Sequence, residues 1–208
     1  MEGANNDRTI VTGPQFCSPQ TLQLSMKKKN YIFGGYGYDV KDDSDNLVFT
    51  IKEVLGFFSR SKVLIFDAAD VPILTLKSKN FTWHSTWQAF KGDSTDKKDL
   101  IFSAKTSSMF QFTTKLDIFL ASNISEQVCD FTLKANYMES KCDIFTGQSS
   151  TLIAQMNKKY TAGSIFLGRD QFMVRVNSNV DHAFIVSIIV ILQEITSSGQ
   201  RSGRSSIQ

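Results

Sequence analysis

The side chains best suited to catalysis in this 208-residue chain are two histidines, His84 and His182, and three cysteines, Cys17, Cys129 and Cys142. Their spacing argues against a reactive site. A structural zinc centre needs Cys and His clustered in patterns such as C-x-x-C, because four ligands must converge on one tetrahedron. None of the five residues sits in such a pattern. A thiol nucleophile needs a base within reach and an environment that favours thiolate, and no cysteine here has local chemistry that supports the role. His84, within Phe81–Trp87, reads as a structural or surface histidine. His182 follows Asp181 at the head of an apolar run, where a helix N-terminus disfavours positive charge. Gly34-Gly35-Tyr36-Gly37 lacks the Gly-Lys-Ser/Thr of a phosphate loop and reads as a bulge or tight bend. Carboxylates gather in turn-like clusters (Asp42, Asp43, Asp45; Asp93, Asp96, Asp99), where Asp bends and caps the chain. The expectation is therefore no catalytic, cofactor-binding or metal site, no cofactor, and no enzymatic activity.

Lysine clusters are the one feature with an implied partner. Lys27-Lys28-Lys29, Lys97-Lys98 and Lys158-Lys159 could form a patch for anionic phospholipid headgroups, each lysine near such a surface being worth about 1 kcal/mol. Clusters of two or three are shorter than the four to eight basic residues usual for lipid recognition, so an ordinary solvated surface competes with this reading. Lys27, Lys28 and Lys29 are the headgroup candidates. The net charge of +3 falls well short of a dedicated nucleic-acid binder, and no nucleic-acid site is evident.

The elements that would position these residues are mostly strands. Composition, 41% hydrophobic and 21% charged, is that of a globular domain, and 17 Phe call for an extensive apolar interior. Short alternating runs end in lysine: Leu47–Lys52, Ile73–Lys77, Leu100–Lys105 and Phe131–Lys134. Clusters such as Asp42–Asn46, Asp67–Asp70 and Gly92–Asp96 precede several of them, the pattern of hairpins. Further strand candidates are Tyr31–Tyr38, Val63–Phe66, Thr86–Phe90, Phe110–Leu120, Lys141–Thr146, Thr151–Asn157 and Gln171–Val176. About twelve evenly spaced strands imply a sandwich or closed barrel. Residues 1–18 read as a flexible lead-in, 19–196 as one domain and 197–208 as a disordered low-complexity tail. No secretory signal is visible, and the three sparse cysteines read as reduced thiols, so an intracellular, soluble protein is expected, cytoplasmic with membrane or nuclear association as options.

The run Ala183–Leu192 is the most apolar in the chain, yet shorter than the roughly 20 residues that span a bilayer. No transmembrane span is expected. Five Ile and two Val across 181–195 favour a strand; more than ten residues without a turn favour a helix. A barrel of around twelve strands is too wide for its own side chains to fill, and a helix over about 181–195 would be roughly 22 Å long. Such a helix, with Phe184, Ile185, Ile188, Ile189 and Leu192 as the plug, would fill it, Asp181 placing negative charge at its positive end.

Several stretches resemble the plant LURP-one-related family: Trp87-Gln88-Ala89-Phe90-Lys91-Gly92-Asp93-Ser94, Asp99–Phe102, Lys105–Met109, Thr114–Leu120, Cys129–Phe131, Ile153–Met156, Ser164–Asp170 and Asn179–Ile185. The resemblance runs from about Pro19 to Thr196. It implies a tubby-like fold, a twelve-stranded antiparallel barrel closed around a hydrophobic C-terminal helix, which phospholipid scramblases are thought to share. It implies no enzymatic reaction, an association with plant defence, and kinship with tubby-like membrane-tethered transcription factors. Two rivals stand beside a membrane-associated regulator. One is a scramblase-like lipid transporter, which would need the 183–192 run to enter the bilayer. The other is an enzyme with an unrecognised site at the barrel mouth.

Overall fold

A computed structural model describes residues 8–30, 35–54, 62–79, 86–110, 112–136, 140–147, 151–159 and 171–204. His84 lies outside the described residues. Twelve antiparallel strands, each paired to the next in sequence, close into a barrel: β1 (Leu22–Asn30), β2 (Tyr36–Lys41), β3 (Leu47–Val54), β4 (Lys62–Asp67), β5 (Pro72–Lys79), β6 (Thr86–Lys91), β7 (Leu100–Phe110), β8 (Thr113–Leu120), β9 (Phe131–Asn136), β10 (Lys141–Thr146), β11 (Leu152–Lys159) and β12 (Gln171–Val176). Closure comes from β1 pairing β12, with Leu22 opposite Val176 and Lys27 opposite Gln171. Among the described strands it leaves no sheet edge open to other chains.

Alternation along each strand fixes which face is buried. On β8, Thr114, Leu116 and Ile118 are buried while Lys115 and Asp117 are not; on β11, Ala154 and Met156 are buried while Gln155 and Asn157 are not. Register shifts at Val40/Lys41, Ile65/Phe66, Ala89/Phe90 and Ile144/Phe145 lie near one rim, where an added residue lets a strand bend.

The C-terminal helix α1 (His182–Arg204) runs inside the barrel. Every side chain from Ala183 to Leu192 is at most 1% exposed, Ser187 included. The Phe184 ring meets Phe102 edge-on at 5.3 Å and Phe131 at 4.8 Å, and Ser187 satisfies its buried hydroxyl by donating to the Phe184 carbonyl at 2.6 Å. Burial on all sides overrides the strand preference of Ile and Val, because a helix satisfies its own backbone where a lone central strand would have no partner. The helix extends beyond 195, into the stretch expected as disordered tail: each residue added to a nucleated helix gains a hydrogen bond without a new nucleation cost.

Several strands depart from expectation, most of them by running longer at an end, as β7 does in reaching Phe110. The segment Leu22–Asn30, assigned to no strand from sequence, is β1. Of Tyr31–Tyr38, the described part begins β2 at Tyr36 and continues to Lys41, and Gly35 just before it has φ 82°, the left-handed turn that glycine permits. Phe110 ends β7 rather than starting β8, whose first residue is Thr113.

From Arg8 onward the N-terminal stretch is docked on one barrel rim, in contrast to a loose lead-in. Thr9 bridges Val180, and Cys17 bridges Asp181. Asp181, fully buried, is what the segment wraps around. Its carboxylate accepts the backbone N–H of Val11 (3.1 Å), Thr12 (2.6 Å) and Gly13 (3.1 Å), and the Thr12 hydroxyl. Its other oxygen accepts the Phe184 N–H at 3.0 Å, the N-cap bond that satisfies an otherwise orphaned helix donor.

Candidate functional site

The antiparallel order gives the barrel two chemically different ends. The end where α1 begins carries Asp42, Asp43 and Asp45 between β2 and β3, Asp67 at the end of β4 and Asp70 in the turn that follows, Asp93 and Asp96 before β7, and Glu126 between β8 and β9. Several of these carboxylates shape their own turns. Asp42 accepts the Ser44 and Asn46 N–H groups, and hydrogen bonds from the Asn46 side chain and backbone hold its carboxyl below the usual range. The Asp67 carboxylate accepts the Ala69 and Val71 N–H groups. At the opposite end the last rungs carry lysine: Lys28, Lys79, Lys115, Lys141, Lys158 and Lys159. The acidic turn, apolar strand and terminal lysine of the sequence are thus one charge gradient along the barrel axis.

At the lysine end, which we term the mouth, a pocket of about 280 Å³ is lined by Lys28, Lys141 and Lys158, with Tyr38 and Asn136 from the strands, Ser140 from the turn before β10, and Gln193, Thr196 and Ser197 from α1. Its floor is Met156, Phe172 and Leu192. Register explains the convergence: Met26 on β1 and Lys158 on β11 both face Phe172 on β12, so Lys28 and Lys158 approach the same opening from either side. The Lys28 ammonium stands 4.9 Å from the centre of the Tyr36 ring, and the Tyr36 hydroxyl donates to the buried Glu194 carboxylate of α1.

A second, more open groove of about 320 Å³ adjoins the first along Ala135, Asn136 and Lys141 and extends over the outer wall past Ser108, Thr113, Lys115 and Lys134. Lys115 and Lys134 are direct cross-strand partners. Like charges in that position destabilise a sheet, and an anion between them would relieve this. Lys115 pairs with Asp117 at 3.0 Å and Lys141 with Asp143 at 3.1 Å, which holds both lysines in place on the wall.

Of the three headgroup candidates read from sequence, Lys28 alone faces the pocket. Lys27 and Lys29 point outward, as neighbours on a strand must, and Lys29 pairs with Asp39. The 27–29 and 158–159 clusters come together at the mouth. Lys97 and Lys98 form a 3₁₀ turn with Asp99 at the acidic end, remote from the other two. Lys141 and the α1 polar residues were not site candidates from sequence, since single lysines and helix-end Gln, Thr and Ser carry no local signal.

The groups weighed for catalysis are placed differently. All three cysteines are free. Burial pushes the Cys142 thiol well up, helped by Asp143; Cys17 is pushed up by burial and then by Asp181. Cys129 is buried against the Thr132 hydroxyl at 3.2 Å. His182 packs between Phe16 (5.7 Å) and Phe49 (5.4 Å). Burial lowers its pKa against the opposing pull of Asp181 and of a hydrogen bond with the Phe16 backbone, and its Nδ1 is buried without a partner among the described residues. It is a packed neutral imidazole at the acidic end, far from the mouth. Among the described residues there is no cluster of metal ligands, and no helix is long and apolar enough to cross a membrane.

The LURP-one-related family profile matches residues 22–193. Among curated proteins of Arabidopsis thaliana, the chain is similar to Protein LURP-one-related 15, 39% identical over 89% of this chain and 85% of that protein. It is similar also to Protein LURP-one-related 10, 42% identical over 89% of this chain and 95% of that one. An X-ray structure of an Arabidopsis thaliana protein superposes with a TM-score of 0.69 at 32% identity, covering 90% of this chain and 98% of that one.

Proposed function

The chain belongs to the LURP-one-related family, and from that premise we propose that it is a non-enzymatic intracellular regulator that docks on membranes by holding anionic phospholipid headgroups at the mouth of its barrel. The observation that carries the proposal is the convergence of Lys28, Lys141 and Lys158 on one pocket. At about 280 Å³ the pocket is at the small end for ligand sites, a size suited to a headgroup rather than a whole lipid. Three lysines at about 1 kcal/mol each contribute roughly 3 kcal/mol, with Lys141 at the lower end because Asp143 shares its charge. The acidic end would be repelled by the same surface, so attraction also orients the molecule. Kinship with tubby-like membrane-tethered regulators and a role in plant defence belong to the same proposal and rest on the family resemblance.

The rival readings have less support. A scramblase-like transporter would need residues 183–192 in the bilayer, and those side chains are the packed centre of the barrel. An enzyme at the mouth would need an activated group there, whereas the polar residues lining the pocket offer amides, hydroxyls and ammonium groups, and the nearby Glu194 carboxylate is buried and bonded to the Tyr36 hydroxyl. Co-sedimentation of the full chain with phosphatidylcholine vesicles, with and without phosphatidylserine or a phosphoinositide, tests the proposal. Binding to the anionic vesicles alone, weakening with added salt as screening requires, is expected. Equal binding to neutral and anionic vesicles, or to neither, would overturn it.

A further inference from the structure

Resting on the headgroup reading, we propose that the tip of the β7–β8 hairpin is a membrane-inserting wedge: Met109, Phe110 and Phe112 enter the apolar edge of an anionic bilayer whose headgroups the mouth holds. These three side chains are 59%, 68% and 54% exposed. A single exposed apolar residue is ordinary; three large ones within four positions form a patch that calls for a partner. The register shift between Thr106 and Ser108 contributes. Beyond it Met109 takes the inward parity of Thr114 and Phe110 the outward parity of Thr113, so both sides of the tip are apolar and neither meets the core.

Placement selects the partner. The hairpin rises from the cationic groove, where Ser108 and Thr113 stand beside Lys115, Lys134 and Lys141. From Ser108 to Phe110 is about 7 Å at the strand rise of roughly 3.3 Å per residue, within the 5–10 Å to which interfacial segments sink. Phe at a headgroup boundary with lysines just behind it is the arrangement that interfacial segments use. Of the other exposed large apolar side chains among the described residues, Val54 ends β3 at the lysine end, whereas Ile10, Leu47, Val71, Ile124 and Val128 lie at the acidic end with Asp67, Asp70, Glu126 and Asp130, where an anionic surface would be repelled. Among the described residues, a cluster of lysines and an exposed apolar tip coincide at the mouth, and that end would face the membrane with the barrel axis steep to it.

The test uses the full chain with Phe110→Trp, read against the wild type, which carries the same two native tryptophans. On phosphatidylcholine–phosphatidylserine vesicles the added emission should shift to the blue and be quenched by bromine-labelled acyl chains. The triple variant Met109→Ser/Phe110→Ser/Phe112→Ser should melt like the wild type, its sites being exposed, and bind these vesicles at least tenfold more weakly. Vesicle binding that persists in the triple variant, with no quenching of Phe110→Trp, would overturn the wedge and leave the headgroup reading intact. Loss of all vesicle binding by the wild type would overturn both. Concentration-dependent dimers abolished by the triple variant, without quenching, would also overturn it and make a second copy the occupant.

Discussion

Replacing Asp181 by Ala should remove the joint that fastens the N-terminal segment, the barrel rim and α1 together. The carboxylate is fully buried and accepts four backbone N–H groups, from Val11, Thr12, Gly13 and Phe184. The Gly13 and Phe184 donors are in buried bonds, while those of Val11 and Thr12 are partly exposed and water can replace the carboxylate there. Two buried orphaned donors at about 1–3 kcal/mol each, less the desolvation cost the carboxylate itself no longer bears, give a loss of roughly 3 kcal/mol. That is a large share of the roughly 5–15 kcal/mol typical of a domain. Urea unfolding should show the loss as a lower midpoint at constant slope. Native-state hydrogen exchange should speed at Val11, Thr12 and Gly13 more than at β9. Removing residues 1–13 first should shrink the effect of Asp181→Ala, because the two changes share bonds. A loss below about 1 kcal/mol, with exchange at Val11–Gly13 unchanged, would refute the reasoning.

The packed helix and its first histidine give two further expectations. Phe184→Ala should cost about 3–5 kcal/mol, since its ring fills the space between Phe102 and Phe131; a melting temperature close to wild type would contradict the packing. His182 has its pKa lowered in the fold below the reference 6.5, so the unfolded chain binds the proton more readily. Its stabilising contribution is complete above about pH 6.5 and declines as pH falls from there through the lowered folded value. His182→Phe, which keeps an aromatic ring between Phe16 and Phe49, should flatten the stability–pH curve in that window; superimposable curves would rule the effect out.

How much of this was legible in the sequence follows from which signals are local. The strands with clean alternation, such as Lys141–Thr146 and Gln171–Val176, could be read residue for residue, because period two with one buried face is a local pattern. The strand Leu22–Asn30 could not: its alternation of Leu22, Leu24 and Met26 fades into Lys27-Lys28-Lys29, which reads as solvated surface. Lys28 faces inward only because the barrel mouth is open there. Thr9–Cys17 looked loose because its docking partner, Asp181, is some 170 positions away, a contact that no window of sequence displays. The mouth itself was half visible. Three lysine clusters were identified, but only register across β12 shows that two of them share a pocket, and only the strand order shows that Lys97-Lys98 lies at the other end. The hairpin tip was hidden because Phe110 looked like the first residue of a strand, when it is the last residue of the one before.

The central claim is that the position of the lysines, and not the overall charge, drives membrane docking. Two triple variants test it at identical net charge, each falling from +3 to neutral: Lys28→Ala/Lys141→Ala/Lys158→Ala at the mouth, and Lys91→Ala/Lys97→Ala/Lys98→Ala at the acidic end. Binding to phosphatidylserine-containing vesicles is measured for both at one ionic strength. The mouth variant is expected to lose roughly 100-fold in affinity, about 1 kcal/mol per lysine, while the acidic-end variant stays within a few-fold of wild type. Equal losses in the two variants, or a mouth variant that binds like the wild type, would contradict it.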